Sequence, residues 1–225
     1  MHFWLAPARL AVAALAAVAL GFSGYHAATG TTGVVNYFGY FTILSNAAAV
    51  VVLTLGGLGG LTGPAGLISR RPVPDPVRGA VVLYLVITGL VYGTVLAKYP
   101  DQLTIPWVND VLHRVVPLAV LADWLIDPPT RRLRPRTALW WLGFPLLYLL
   151  YTLLRGWAAA WYPYPFLDPG VHGGYRRVAG ACALVAAAFV VVGAAVLAAG
   201  NALAARRDGR RGTAPRGRRA HARTT

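Results

Sequence analysis

Six apolar stretches, each close to the length of a membrane crossing, leave this chain few ways to fold. A transmembrane helix needs about 20 predominantly apolar residues. The stretches run from about 3 to 24, 37 to 58, 79 to 97, 107 to 126, 137 to 155 and 177 to 205. They predict one all-α domain over 1–205, a six-span transmembrane helical bundle, followed by a basic disordered tail over 206–225. Only 12% of the 225 residues are charged and 57% are hydrophobic. A soluble domain carries about twice that charge. The Ala/Val run of the first stretch exceeds a signal-peptide core and meets no clear cleavage site, so it reads as a retained span.

Charge placement sets the expected orientation. The formal balance is +14. Arg70, Arg71 and Arg78 lie between the second and third stretches, and Arg131, Arg132, Arg134 and Arg136 between the fourth and fifth. A further group from Arg206 to Arg223 follows the sixth. If the spans alternate, all of these fall on one side, which the positive-inside rule makes the cytoplasm. Both termini are then expected there, in a multi-pass protein of a bacterial inner membrane. The Ala, Gly and Arg bias suggests such a source. Because the arginines flank spans, they read as topology signals and lipid contacts rather than as a nucleic-acid surface. The expected partner is the lipid bilayer. Sequence sets no oligomeric state.

Cys182 is the single cysteine, so there is no intramolecular disulfide and no cysteine metal cage. His2, His26, His113, His172 and His221 are scattered without paired spacing. No metal and no cofactor is expected.

Polar residues inside spans mark the candidate site, because a side chain that is costly in lipid normally faces a bundle interior or a cavity. The second stretch carries Tyr40-Phe41-Thr42-Ile43-Leu44-Ser45-Asn46. Thr42, Ser45 and Asn46 share one broad helical face at spacings of three and four. The fourth carries Asn109-Asp110-Val111-Leu112-His113-Arg114. Both groups enter from the outer face, and Thr42 and His113 lie at matching depth, roughly 8–9 Å in at 1.5 Å per residue. Asn109 stacks under His113, while Asp110 can pair with His113 or Arg114. Pro117 has no N–H, so the His113 carbonyl loses its helical partner and a kink or a bound water is expected there. Farther along, Asp123 is placed to meet a loop arginine. The loop Trp161-Tyr162-Pro163-Tyr164-Pro165-Phe166 reads either as an interfacial belt or as a rim that admits a lipid-like ligand.

A threonine hydroxyl becomes a nucleophile when a base takes its proton, and neutral histidine is the usual base. Thr42 and His113 fill those catalytic roles. Asp110 is a candidate for orienting the ring, and Asn46, Asn109 or backbone N–H groups for holding an oxyanion. Ser45 is a rival nucleophile.

Three motifs in order carry a resemblance. Tyr40 to Asn46, Leu112-His113-Arg114-Val115-Val116-Pro117-Leu118 with Asp123-Trp124, and the Tyr162-Pro163-Tyr164-Pro165-Phe166 loop together resemble a bacterial branch of the androgen-induced and androgen-dependent TFPI-regulating protein family. The resemblance covers most of residues 1–205. Animal members are multi-span threonine hydrolases that cleave fatty acid esters of hydroxy fatty acids with an intramembrane Thr and His. The resemblance therefore implies that Thr42 and His113 hold those roles, on a lipid-like ester substrate. The alternative expectation is a non-enzymatic small transporter, or a lipid-binding or scaffold protein, in which Asp110, His113 and Arg114 form the working network.

Overall fold

The computed structural model of the protein describes residues 4–61, 71–96, 105–171 and 173–212. The described residues are helical, with no strand among them. In order they form α1 (Leu5–Thr29), the short α2 (Val34–Tyr37), α3 (Phe41–Leu61) and α4 (Asp75–Thr94). Next come α5 (Pro106–Asp110), a π-helical turn (Val111–Val115) and α6 (Val116–Ile126). The chain ends with α7 (Pro135–Trp141), α8 (Gly143–Ala159), a 3-10 turn (Pro165–Leu167) and α9 (Gly174–Gly212).

Five helical stretches are long and apolar enough to cross a membrane: Leu5–Thr29, Phe41–Leu61, Asp75–Thr94, Pro135–Ala159 and Gly174–Arg207. The stretch expected as a fourth span, 107–126, is helical too, but its π turn divides it into consecutive pieces of 5, 5 and 11 residues. The last helix runs past the expected boundary at 205, so residues 206–212 extend it. The remaining tail residues 213–225, with His2, Arg70, Lys98, His172 and His221, lie outside the described residues.

Small residues draw α1 and α3 together. Ala13, Ala16 and Ala19 of α1 are buried, as is Ala49 of α3. A Cβ on Gly57 would stand 2.6 Å from Leu10 Cγ, and one on Gly60 would stand 2.8 Å from Ala6 Cβ. These two glycines let the backbones approach as small-residue stripes do between membrane helices. Trp124 fills the base of the bundle at 1% exposure. Gly200 of α9 makes room for its ring, since a Cβ there would fall 2.6 Å from Trp124 Cζ2. The indole N–H donates to the Val196 carbonyl at 3.2 Å.

Above Trp124 lies a compact ionic cluster. Arg9 of α1 bonds Asp123 of α6 at 2.6 Å and Asp127 at 2.9 Å. Arg78 of α4 reaches Asp123 at 2.9 Å and lies over the Trp124 ring at 5.7 Å. Arg71 pairs with Asp75 and Asp127, and Arg207 of α9 closes on Asp127 at 3.4 Å. Asp123 thus meets Arg9 from the first helix as well as Arg78. The cluster gathers the starts of α1 and α4 and the ends of α6 and α9 at one end of the bundle, so the long helices alternate in direction.

Burial alone raises the Asp127 carboxyl, but the hydrogen bond from Arg9 and the charges of Arg71, Arg78 and Arg9 outweigh it and hold the group below its ordinary 3.8. The unfolded chain then binds this proton more tightly, so the contribution is complete above about pH 4 and is lost as pH falls through the lower folded value. Thermal unfolding in detergent is expected to be level from about pH 7 to about pH 5 and to fall in the acid range, whereas Asp127→Asn, which removes one carboxylate from the cluster while Asp123 and Asp75 still pair Arg9, Arg78 and Arg71, is expected to lose about 1–3 kcal/mol at neutral pH and to show a shallower acid fall.

Candidate functional site

The two polar groups that the sequence places at one depth meet in space. Thr42 lies in the first turn of α3 and is 7% exposed. His113 sits at the centre of the π turn. Thr42 Oγ1 and His113 Nε2 are 3.1 Å apart.

The π turn has a local cause. Pro117 cannot donate to the His113 carbonyl. Just before it the helix widens, and the Val116 N–H reaches back five residues to the Val111 carbonyl. Such single turns recur at functional sites. Gly89 of α4 faces the widened turn. A Cβ there would lie 3.0 Å from the His113 carbonyl oxygen and 3.5 Å from Pro117.

The tautomer of His113 follows from its partners. Nδ1 lies 3.0 Å from the backbone carbonyl of Asn109. A carbonyl only accepts, so Nδ1 carries a proton. In the neutral ring Nε2 is then the acceptor, and the Thr42 hydroxyl donates to it. Other helical hydroxyls behave differently. Those of Ser23, Thr29, Thr88 and Thr94 donate back to the carbonyls of Ala19, Tyr25, Tyr84 and Leu90, four residues earlier. Thr42 instead crosses to another helix.

Tyr92 of α4 stacks on the imidazole, with centroids 4.4 Å apart and planes 23° apart. Its hydroxyl accepts the Asn109 side-chain amide at 2.6 Å. Asn46 is fully buried and donates to the carbonyls of Thr42 at 2.8 Å and Leu112 at 3.1 Å, tying α3 to the π turn. Its Oδ1 has no partner among the described residues. Ser45 is held by the Thr42 carbonyl and the Thr88 hydroxyl and is not bonded to the imidazole.

Asp110 does not orient the ring. It pairs with Arg114, both side chains being more than half exposed. Arg114 lies over the Tyr92 ring at 5.5 Å. Four residues separate Asp110 from Arg114, the spacing that places two side chains on one helical face, and here that face is outward. The orienting acceptor is the backbone of Asn109.

Two tyrosines meet the start of α3, Tyr164 from the loop that the sequence placed in a belt or rim and Tyr148 from the outer half of the fifth stretch. The Phe41 N–H is shared by the Tyr164 hydroxyl at 3.0 Å and the Tyr148 hydroxyl at 3.1 Å. Tyr148 in turn donates to the Gly39 carbonyl at 2.8 Å. The available signal was the Tyr-Pro-Tyr-Pro run, because proline-restricted backbone can fold a loop tyrosine inward. Farther out, Arg155 bonds Asn36 and stacks on Trp161 at 4.5 Å.

Beside Thr42 lies a cavity of about 150 Å³, walled by Thr42, Tyr164, Ile87, Leu149, Val185 and Phe189 among others. Leu146 of α8 and Val190 of α9 also line it and are 60% and 57% exposed. The cavity therefore opens sideways between those helices. Among the described residues no group of three potential metal ligands is found.

Fold and site together describe a protein whose described residues are helical and compatible with integral membrane residence, with Thr42 on the wall of an apolar cavity and hydrogen-bonded to the His113 imidazole behind it. Compared with protein-family models, with curated proteins and with solved structures, the chain matches none.

Asn46→Leu removes both donors that join α3 to the π turn. Leaving buried carbonyls unpaired costs about 1–3 kcal/mol, and a loss of that size is the expected result in thermal unfolding of the detergent-purified variant.

Proposed function

We propose that this protein is a six-span membrane hydrolase of lipid esters, with Thr42 as nucleophile and His113 as base. The observation that carries this reading is the hydrogen-bonded series from Thr42 Oγ1 to His113 Nε2 and from His113 Nδ1 to the Asn109 carbonyl, set at an apolar cavity. The resemblance of its motifs to the androgen-induced and androgen-dependent TFPI-regulating protein family points the same way. In this reading the fourth crossing is the π-interrupted helix 106–126, and the arginine-rich end of the bundle faces the cytoplasm of a bacterial inner membrane.

The chemistry runs in two halves. His113 Nε2 takes the Thr42 proton as Oγ1 attacks the ester carbonyl carbon. The tetrahedral intermediate collapses by breaking the bond to the alkoxy oxygen, which leaves as alcohol with the proton from His113. Water, deprotonated by His113, then attacks the threonyl ester. Collapse releases the carboxylic acid and returns the proton to Thr42. The Asn109 carbonyl keeps Nδ1–H in place throughout, the part a carboxylate plays in a serine triad. A sideways opening admits an acyl chain from lipid without passage through water, and a cavity of comparable size in another protein holds benzene, so it suits the few carbons next to the carbonyl.

Detergent-purified protein is expected to take a fluorophosphonate label that Thr42→Ala abolishes. His113→Ala is expected to lower hydrolysis of a p-nitrophenyl acyl ester by about 10²–10⁴, with the fold intact. Asp110→Asn and Arg114→Gln are expected to leave turnover close to wild type, because that pair faces outward. A well-folded wild type that takes no label, with function lost instead in the Asp110 and Arg114 variants, would move the assignment to the transporter reading.

A further inference from the structure

An ester hydrolase needs a donor for the negative charge that develops on the carbonyl oxygen. The asparagines near the pair are committed elsewhere. Both N–H bonds of the Asn46 amide go to carbonyls, and the Asn109 amide faces Tyr92. Tyr164 differs. It is buried at 8% exposure and shares the cavity wall with Thr42. Its oxygen accepts the Phe41 N–H at 3.0 Å, and the phenol also lies within interaction range of the Thr42 hydroxyl and backbone. Three other tyrosine hydroxyls of the bundle donate to carbonyls, Tyr37 to Leu20, Tyr84 to Trp141 and Tyr148 to Gly39, and Tyr92 is turned away toward Asn109. The Tyr164 hydroxyl has no carbonyl acceptor among the described residues; the oxygens beside it are the hydroxyls of Thr42 and Tyr148, so its proton lies next to the nucleophile on the cavity wall.

We propose that Tyr164 is a third catalytic residue, whose phenol O–H donates a hydrogen bond to the oxyanion formed when Thr42 attacks. This rests on the threonine-hydrolase reading and adds to it. Tyr164 keeps its proton through the reaction. The charge that arises as Oγ1 bonds the carbonyl carbon is met by the phenol and is discharged when the alkoxy oxygen leaves. The Phe41 N–H bonded to the phenol oxygen polarises it and makes its proton a stronger donor. The ring is fixed before substrate arrives. It stacks on Phe166 with centroids 5.2 Å and planes 3° apart, and meets Tyr40 edge-on.

Tyr164→Phe keeps the ring and its stacking, and the Phe41 N–H retains the Tyr148 hydroxyl. The test compares wild type, Thr42→Ala and Tyr164→Phe for fluorophosphonate labelling rate and for kcat and KM on p-nitrophenyl octanoate, with thermal unfolding measured alongside. Removing one oxyanion donor costs about 10²–10³ in kcat, so a loss of that order with little change in KM or melting temperature is expected, with labelling slowed in parallel. A second variant carries difluorotyrosine at position 164. Its more acidic phenol ionises at lower pH, so activity should fall on the alkaline side earlier than in wild type, which a purely structural tyrosine would not produce. Wild-type labelling at Thr42 with unchanged kcat in Tyr164→Phe and an unshifted pH profile would overturn the role of Tyr164 alone. Absence of wild-type labelling would overturn the threonine reading, and this proposal with it.

Discussion

The site depends on one buried amide. Asn46 spans the gap between α3 and the π turn and spends both N–H bonds on carbonyls of the two elements. In a medium that offers no alternative partner, a helix pair joined this way cannot slide or rotate without stranding polar groups. The bridge joins the carbonyl of Thr42 to that of Leu112, the residue before His113. It therefore fixes the relative height of the hydroxyl and the imidazole. The 3.1 Å contact between them is a consequence of that clamp as much as of the two residues themselves.

The two ends of the bundle follow opposite rules. At one end, arginines and aspartates from α1, α4, α6 and α9 neutralise one another around Trp124. Their attraction is strong because they are mostly shielded from solvent, and it tells each helix where its terminus belongs. At the other end the interior polar groups are neutral, Thr42, His113, Asn46, Tyr92, Tyr148 and Tyr164, while Asp110, Arg114 and Arg155 stand farther out. Of the neutral groups, Thr42, Tyr148 and Tyr164 put hydroxyls on the wall of an otherwise apolar cavity. Rigid helices meet at the charged end, and the neutral end holds the lateral opening between α8 and α9.

Helices were legible in the sequence because each apolar run has the length of a crossing and lipid leaves the backbone few choices. The pairing of Thr42 with His113 was legible as matching depth, though depth alone names no lateral neighbour. Pro117 announced a broken hydrogen bond without saying whether the helix would bend or widen. Asp110 was the harder case. Residues three and four apart on a helix are both near, and only the direction in which the helix faces decides between His113 and Arg114. Arg9 and Tyr164 were invisible as partners, since their contacts with Asp123 and Phe41 span more than a hundred residues. The backbone carbonyl of Asn109 was hidden for another reason: a main-chain atom leaves no mark on residue identity.

The π turn also makes the site a matter of counting. Relative to an α-helix, it holds one residue more than the hydrogen-bond ladder needs, and each residue turns the chain by about 100°. Loss of a single codon at Arg114 or Val115 would let the helix close into regular form with His113 and Asn109 still present. The upstream half would then rotate by that angle relative to Pro117 and α6. Asn109 and Tyr92 would part, and whichever ring nitrogen faced α3 would do so from a new side. Substitutions leave this register intact, so a lineage could exchange most residues of the segment and keep the site. A one-residue deletion would abolish it while leaving a well-formed apolar helix behind.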